Sequence, residues 1–228
     1  MNLQLVLLAI FPSIILALII LFYDRYDKEP FGLLMKVFFF GMLATIPTII
    51  AEVIGNMFNF FSGIIGIAVE AFIVVGLAEE FFKRRVVLKH AFNHPAFDEK
   101  LDGIVYCGFA ALGFATLENI LYVAFYFADA EGIWLTRALL SVPAHALLGV
   151  TMGYYLAMAK FCMNPQKRQS YMTRSLVVPA ALHGLYDFML MSGMQIFTLI
   201  FIPFVIYLWI SSIKKLNQYH RESKQMHT

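Results

Sequence analysis

Charge is scarce in this chain. Only 14% of its 228 residues are Asp, Glu, Lys or Arg, against 61% hydrophobic. An ordinary soluble domain carries about a quarter of its residues charged, so that class is excluded. Cysteine is almost missing. Cys107 and Cys162 make no disulfide framework and no CxxC pair, and Cys107, inside an apolar run, reads as inert packing. No HExxH occurs. The formal net charge of +2 is too small for nucleic-acid binding, and the basic residues fall in loops rather than along one stripe. There is no internal repeat and no stretch polar enough to form a soluble domain.

What the chain has in abundance is apolar runs of membrane-spanning length, about 20 residues each. The first, Leu3 to Tyr23, has no basic residue before it and no small-residue cleavage site after it, so it is expected to be a retained span. The second covers Phe31 to Ile54 and the third Gly63 to about Phe82. A polar segment from Lys83 to Asp102 follows. The fourth run extends from Gly103 to Phe127, and a short acidic connection, 128–132, leads to the fifth, Ile133 to Lys160. After a basic loop from Phe161 to Thr173 come Arg174 to Gly193 and Met194 to Ile213. The expected fold is an all-α polytopic membrane protein, a bundle of about seven transmembrane helices in the cell membrane. Residues 1–215 form its single domain and 216–228 a mobile polar tail.

Lysine and arginine fall in alternate connections: Arg25 and Lys28, five residues from Lys83 to Lys100, four from Lys160 to Arg174, and four from Lys214 to Lys224. The connections 55–62, 128–132 and around 193 have none. The positive-inside rule then places the N-terminus outside and the C-terminus in the cytoplasm.

Against this apolar background a few ionisable groups stand out, because charge at membrane depth is costly and is usually functional or paired. Glu79-Glu80-Phe-Phe-Lys83-Arg84 sets two carboxylates side by side, each with a cation four residues on, so Glu79 is expected to face Lys83 and Glu80 to face Arg84. Phe114-Ala-Thr-Leu-Glu118 puts an acid inside the fourth run, with Asn119 beside it. His145 lies inside the fifth. His183 and Asp187 share a helix face in the sixth. Each has a plain structural explanation alone, as a packing or self-satisfied polar group. Acids and histidines on four spans are harder to explain separately, since each bears its own desolvation cost, and one shared wet pocket relieves them all. Small pairs at four-residue spacing, Ala111/Ala115, Gly149/Gly153 and Ala180/Gly184, permit the close approach this needs. Convergence has a geometric condition. If the third helix stopped at Lys83, Glu79 would lie only about 6 Å deep, so the helix is expected to continue to about His90.

EExxK at 79–83, FxxxE at 114–118 and HxxxD at 183–187, in that order in a small polytopic chain, resemble the PrsW family of bacterial intramembrane proteases. The wider superfamily includes the eukaryotic CAAX-processing endopeptidase, whose branch is similar to EExxxR and FxxxH instead. The resemblance implies a glutamic-type endopeptidase that makes the first cut in a single-span anti-sigma factor, releasing a sigma factor in a bacterial stress response. It also implies that Glu79 is the catalytic glutamate. Such enzymes cut on the extracytoplasmic side, whereas the charge rule puts Glu79 in the cytoplasmic half of its helix. A deep cavity open outward reconciles the two.

Peptide hydrolysis needs an activated water, a stabilised oxyanion and a proton for the leaving amine. The resemblance implies that Glu79 takes the water, with Glu80 as the supporting acid, held by Arg84 or polarising the same water. Glu118 stands where relatives place a histidine that positions the water. His183, steered by Asp187, serves the oxyanion and the leaving group. Lys83, Arg84, Asn119 and His145 are supporting residues. No cofactor is expected. Zinc held by the same Glu and His side chains is the rival, since donor type fits but sequence spacing gives it no support. An ion transporter or a non-catalytic scaffold are the alternatives outside proteolysis.

Overall fold

A computed structural model describes residues 3–126 and 132–228. Among these, seven helical rods account for the bundle: α1 (Leu3–Tyr23), α2 (Phe31–Met57), a composite α3, a composite α4, a composite α5, α6 (Pro165–Met191) and α7 (Gln195–His227). Composite α3 runs through Gly63–Val69, a π-helical Glu70–Leu77 and Ala78–His90. Composite α4 is Lys100–Ile120 continued by π-helical Leu121–Tyr126, and α5 joins Ile133–Thr136, π-helical Arg137–Ser141 and Val142–Lys160. Helix is the form that satisfies every backbone N–H and C=O within its own segment, which lipid demands. Among the described residues, five helices are long and apolar enough to cross a membrane. The acidic connection expected over 128–132 lies outside the described residues, apart from Gly132.

The core is α4. From Leu101 to Thr116 every one of its residues is buried, packed chiefly on α5 and α2. By contrast α1, α2 and α7 turn rows of large apolar side chains outward, such as Leu7, Phe11, Leu18, Ile46, Ile50, Leu199, Ile202 and Ile206. That arrangement suits a lipid surround, where outward leucine and isoleucine carry no penalty.

Two close approaches set the frame of the bundle. A Cβ on Gly76 would stand 2.8 Å from the Gly184 nitrogen and 3.0 Å from the Ala180 oxygen, so α3 and α6 cross backbone to backbone. Gly103 and Gly153 do the same for α4 and α5, where a Cβ on Gly103 would meet the Gly153 oxygen at 2.7 Å. The first crossing lies three residues before Glu79 and next to His183, and so fixes those two against each other.

The third helix does extend to His90, as convergence required. Two expectations are corrected. Helix α6 starts at Pro165, not Arg174: Asn164 caps it by accepting from the Lys167 N–H at 3.0 Å, and proline at the first helical position forfeits no bond. The residues after Leu216 are not a mobile tail. They continue α7, whose Leu216, Tyr219 and Ser223 form a buried stripe at helical spacing. Tyr219 stacks on Tyr154 at 5.0 Å, Lys100 pairs with Glu222 at 2.7 Å, and His220 Nδ1 meets the Tyr23 oxygen at 2.7 Å.

Candidate active site

Glu79, Glu80, Lys83, His145 and His183 are all buried, and they meet where α3, α5 and α6 face one another. At the centre is the Lys83 ammonium. Its Nζ donates to Glu79 Oε2 at 2.8 Å and to Glu80 Oε1 at 2.8 Å, and lies 2.9 Å from His145 Nδ1. An ammonium has three donors and no acceptor, so all three are used, and His145 Nδ1 must be the accepting nitrogen. The proton of that imidazole is therefore on Nε2, from which it bonds Glu118 Oε2 at 2.9 Å. Phe114 supplies a further wall: its ring centroid lies 4.3 Å from the same Nζ, a cation–π contact.

Glu118 is held from a second side. Arg137 donates from Nη2 to Glu118 Oε2 at 2.9 Å and from Nε to Asn119 Oδ1 at 2.8 Å, while the Asn119 amide donates to the Ala9 oxygen at 2.8 Å. Asn119 thus ties α1 and α5 to α4. Arg137 is a site residue that the sequence motifs do not include. Its signal was there: an arginine in an apolar run needs a partner, and Glu118 and Asn119 precede it across one short connection.

His183 stands among three acids. Its Nδ1 lies 3.0 Å from Glu80 Oε1, and its Nε2 lies 3.4 Å from Asp187 Oδ2 and 3.9 Å from Glu79 Oε2. All the residues singled out in sequence are therefore brought together except Arg84. The expected Glu80–Arg84 pair does not form. Lys83, at i+3, bridges both glutamates, and Arg84 turns away to donate to Ser175 Oγ at 2.8 Å and the Met172 oxygen at 3.0 Å on α6. Lys83 can take both because Glu79 and Glu80 are successive residues and so flank it at i+4 and i+3.

A cavity of about 770 Å³ opens in front of this cluster. Glu79, Glu118, His145, His183 and Asp187 line it, whereas Glu80 and Lys83 stand behind. Glu52 and Glu70 also border it but form no ion pair among the described residues. Its remaining wall comes from the second half of α2, the first halves of α3 and α5, and the last turns of α4 and α6. It therefore lies at the end of the bundle where the connections lack lysine and arginine. The three π-helical segments among the described residues border it, through Glu70 and Val75, Leu121 and Tyr122, and Arg137, Leu140 and Ser141. Such widened turns recur at functional sites.

One atom each of Glu79, Glu80, His145 and His183 lies within 4.8 Å of the others, a donor set that zinc accepts. The position between them is already filled, since three of the four residues hold the Lys83 ammonium. With Lys83 in place the cluster does not fit a metal.

The profile of a family described as PrsW family intramembrane metalloprotease matches residues 29–210. The chain is 38% identical over 230 residues to Protease PrsW of Clostridioides difficile (strain 630), covering 99% of this chain and 95% of that one. It is 37% identical over 202 residues to Protease PrsW of Bacillus subtilis (strain 168), covering 88% and 89%. No solved structure matches. With a profile match over most of its length and relatives aligned nearly end to end, this multi-pass membrane chain belongs to the PrsW family of intramembrane proteases.

Proposed function

We propose that the chain makes the first cut in a single-span anti-sigma factor, without a metal, using Glu79 to activate the water. The observation that carries this reading is the position of Glu79. It is the one member of the adjacent glutamate pair that lines the cavity, and both histidines approach it, His145 Nδ1 at 3.8 Å and His183 Nε2 at 3.9 Å.

In this reading a water in the cavity gives its proton to the Glu79 carboxylate as its oxygen attacks the scissile carbonyl carbon. The carbonyl oxygen gains the negative charge and is met by an N–H donor, a part assigned here to Nε2 of His183, which lines the cavity and has that nitrogen 3.9 Å from Glu79 Oε2. The carbon–nitrogen bond then breaks, and the proton taken by Glu79 passes to the leaving amine. Glu80 does not touch the water. It positions His183 through Nδ1 and helps hold Lys83, which keeps Glu79 oriented. Glu118, fixed by His145 and Arg137, borders the water's side of the pocket, and Asp187 steers the His183 ring. The site's depth and its opening at the end without lysine or arginine agree with cleavage on the extracytoplasmic side, the N-terminus being outside.

The test is cleavage by the pure protein in proteoliposomes with a single-span anti-sigma factor, beside Glu79→Gln, in excess chelator. Cutting that survives chelation and disappears in the variant supports the proposal. Loss on chelation with recovery on added zinc favours the second reading, a zinc enzyme, for which the clustering of four donor residues speaks. Ion flux without cutting would point to a transporter.

A further inference from the structure

A second group of carboxylates lies far from the cavity. Asp24 and Glu29 belong to the turn between α1 and α2, and Asp102 to the first turn of α4. Asp102 and Glu118 are sixteen residues apart on α4, about 24 Å along its axis. Asp24 and Asp102 are 1% and 0% exposed. One oxygen each of Asp24, Glu29 and Asp102 lies within 4.8 Å of the others.

Two facts separate this cluster from an ordinary acidic patch. The first is how its carboxylates are held. Asp24 Oδ2 accepts the Glu29 N–H at 3.0 Å, and Asp102 Oδ2 accepts the Asp98 and Glu99 N–H groups at 2.8 and 2.7 Å. Main-chain donors therefore fix each group by one oxygen. The other oxygen, Oδ1 in both, is buried and accepts no N–H or O–H among the described residues, while the Glu29 and Asp102 carboxyls lie within hydrogen-bond reach of each other. An orphaned buried carboxylate oxygen is costly and calls for a partner. The second is that no cation of the described residues pairs with it. Among the described residues no lysine, arginine or histidine nitrogen comes within 4.0 Å of these three acids. Lys160 instead gives its ammonium to the Phe92 oxygen at 2.6 Å. The buried Tyr106 hydroxyl donates to Glu29 Oε2, adding an oxygen and no positive charge.

We infer that Asp24, Glu29 and Asp102 hold a hard divalent cation of calcium size, clamping the α1–α2 turn onto the base of α4. Every donor is oxygen, which suits calcium or magnesium rather than zinc. Ligands on opposite sides of a calcium ion are at most about 5 Å apart, given bonds of roughly 2.3–2.6 Å, so the observed spread needs no rearrangement. Magnesium demands a near-ideal octahedron and keeps several waters, so a buried group of three carboxylates suits it less well than calcium. Glu29 is only half-buried, which leaves a path of entry.

The test uses the full chain in detergent, free of phosphate, with terbium as the calcium probe and Tyr106 as its sensitiser. The expected result is saturable luminescence equivalent to one ion per chain, displaced by calcium at lower concentration than by magnesium. A melting midpoint raised by about 5 °C in saturating calcium accompanies it. Asp102→Asn weakens terbium binding at least tenfold, by about one decade of dissociation constant, and loses the calcium-dependent rise. Tyr106→Phe, which keeps all three carboxylates, loses the luminescence but keeps the rise. Three results would overturn the inference: no saturable signal and no shift in the parent, undiminished binding in Asp102→Asn, or undiminished luminescence in Tyr106→Phe. The first would mean that the carboxyls share protons instead.

Discussion

The two ends of α4 solve the same electrostatic problem in opposite ways. Near its C-terminal end Glu79, Glu80 and Glu118 are neutralised from within the chain, by Lys83, Arg137 and the histidines that join them. Near its N-terminal end Asp24, Glu29 and Asp102 have no chain cation within ion-pair distance among the described residues. Buried charge is tolerated only when it is paired and hydrogen-bonded. The first centre is therefore complete as folded, and its carboxylates are held rigid at a cavity wall. The second has unused oxygens and is finished by something that is not part of the chain. A family description that includes a metal does not by itself say which end the metal would occupy.

The contrast is broken most directly at Glu79. Glu79→Gln keeps the hydrogen bond to Lys83 and removes the base, so cleavage in proteoliposomes should fall by about 10³-fold or more while the protein still folds. Residual cutting within tenfold of the parent would mean that another group activates the water.

Lys83→Met probes the resident cation. Leaving two buried carboxylates without their partner should cost about 3–5 kcal/mol of stability, measured as the midpoint of denaturant unfolding. Zinc uptake sharpens the point. Lys83→Ala should bind zinc saturably, because the position between four donors is vacated, and the parent should not. Zinc bound by the parent with Lys83 intact would reverse the comparison.

Smaller effects come from the scaffold. Gly76→Val forces a side chain onto the Gly184 and Ala180 backbone and should cost about 1–3 kcal/mol, with cleavage reduced because Glu79 is drawn away from His183. Arg137→Ala should lower the cleavage rate constant about tenfold with less change in the Michaelis constant, and Arg137→Lys should recover part of it. The smallest effect on cutting is expected at the far end. Asp102→Asn should leave the rate within about threefold, since sites this far apart act nearly independently.

Much of this was legible in the residues. The apolar runs read out a helical bundle because lipid allows little else, and the continuation of α3 to His90 followed from one length argument about Glu79. Convergence of Glu79, Glu118, His145, His183 and Asp187 followed from the shared cost of burying charge. Local signals at Asn164-Pro165 and the Leu216, Tyr219, Ser223 stripe were also present, but the basic residues around them suggested loop and tail. Positive charge marks the end of the lipid, not the end of the helix.

What the sequence by itself determined was the class of fold and the set of ionisable side chains that must find partners inside it. Which partner each one found was decided only in three dimensions. Helical spacing offers Glu80 both Lys83 and Arg84, and it is the crossing of α3 on α6, at Gly76 and Gly184, that sends Arg84 to Ser175 and leaves Lys83 to both glutamates. Arg137 and Glu118, nineteen residues apart, meet because α4 and α5 pack antiparallel. Spacing along one helix fixes a face, whereas the choice among partners on a face depends on which neighbouring backbone comes near enough to claim them.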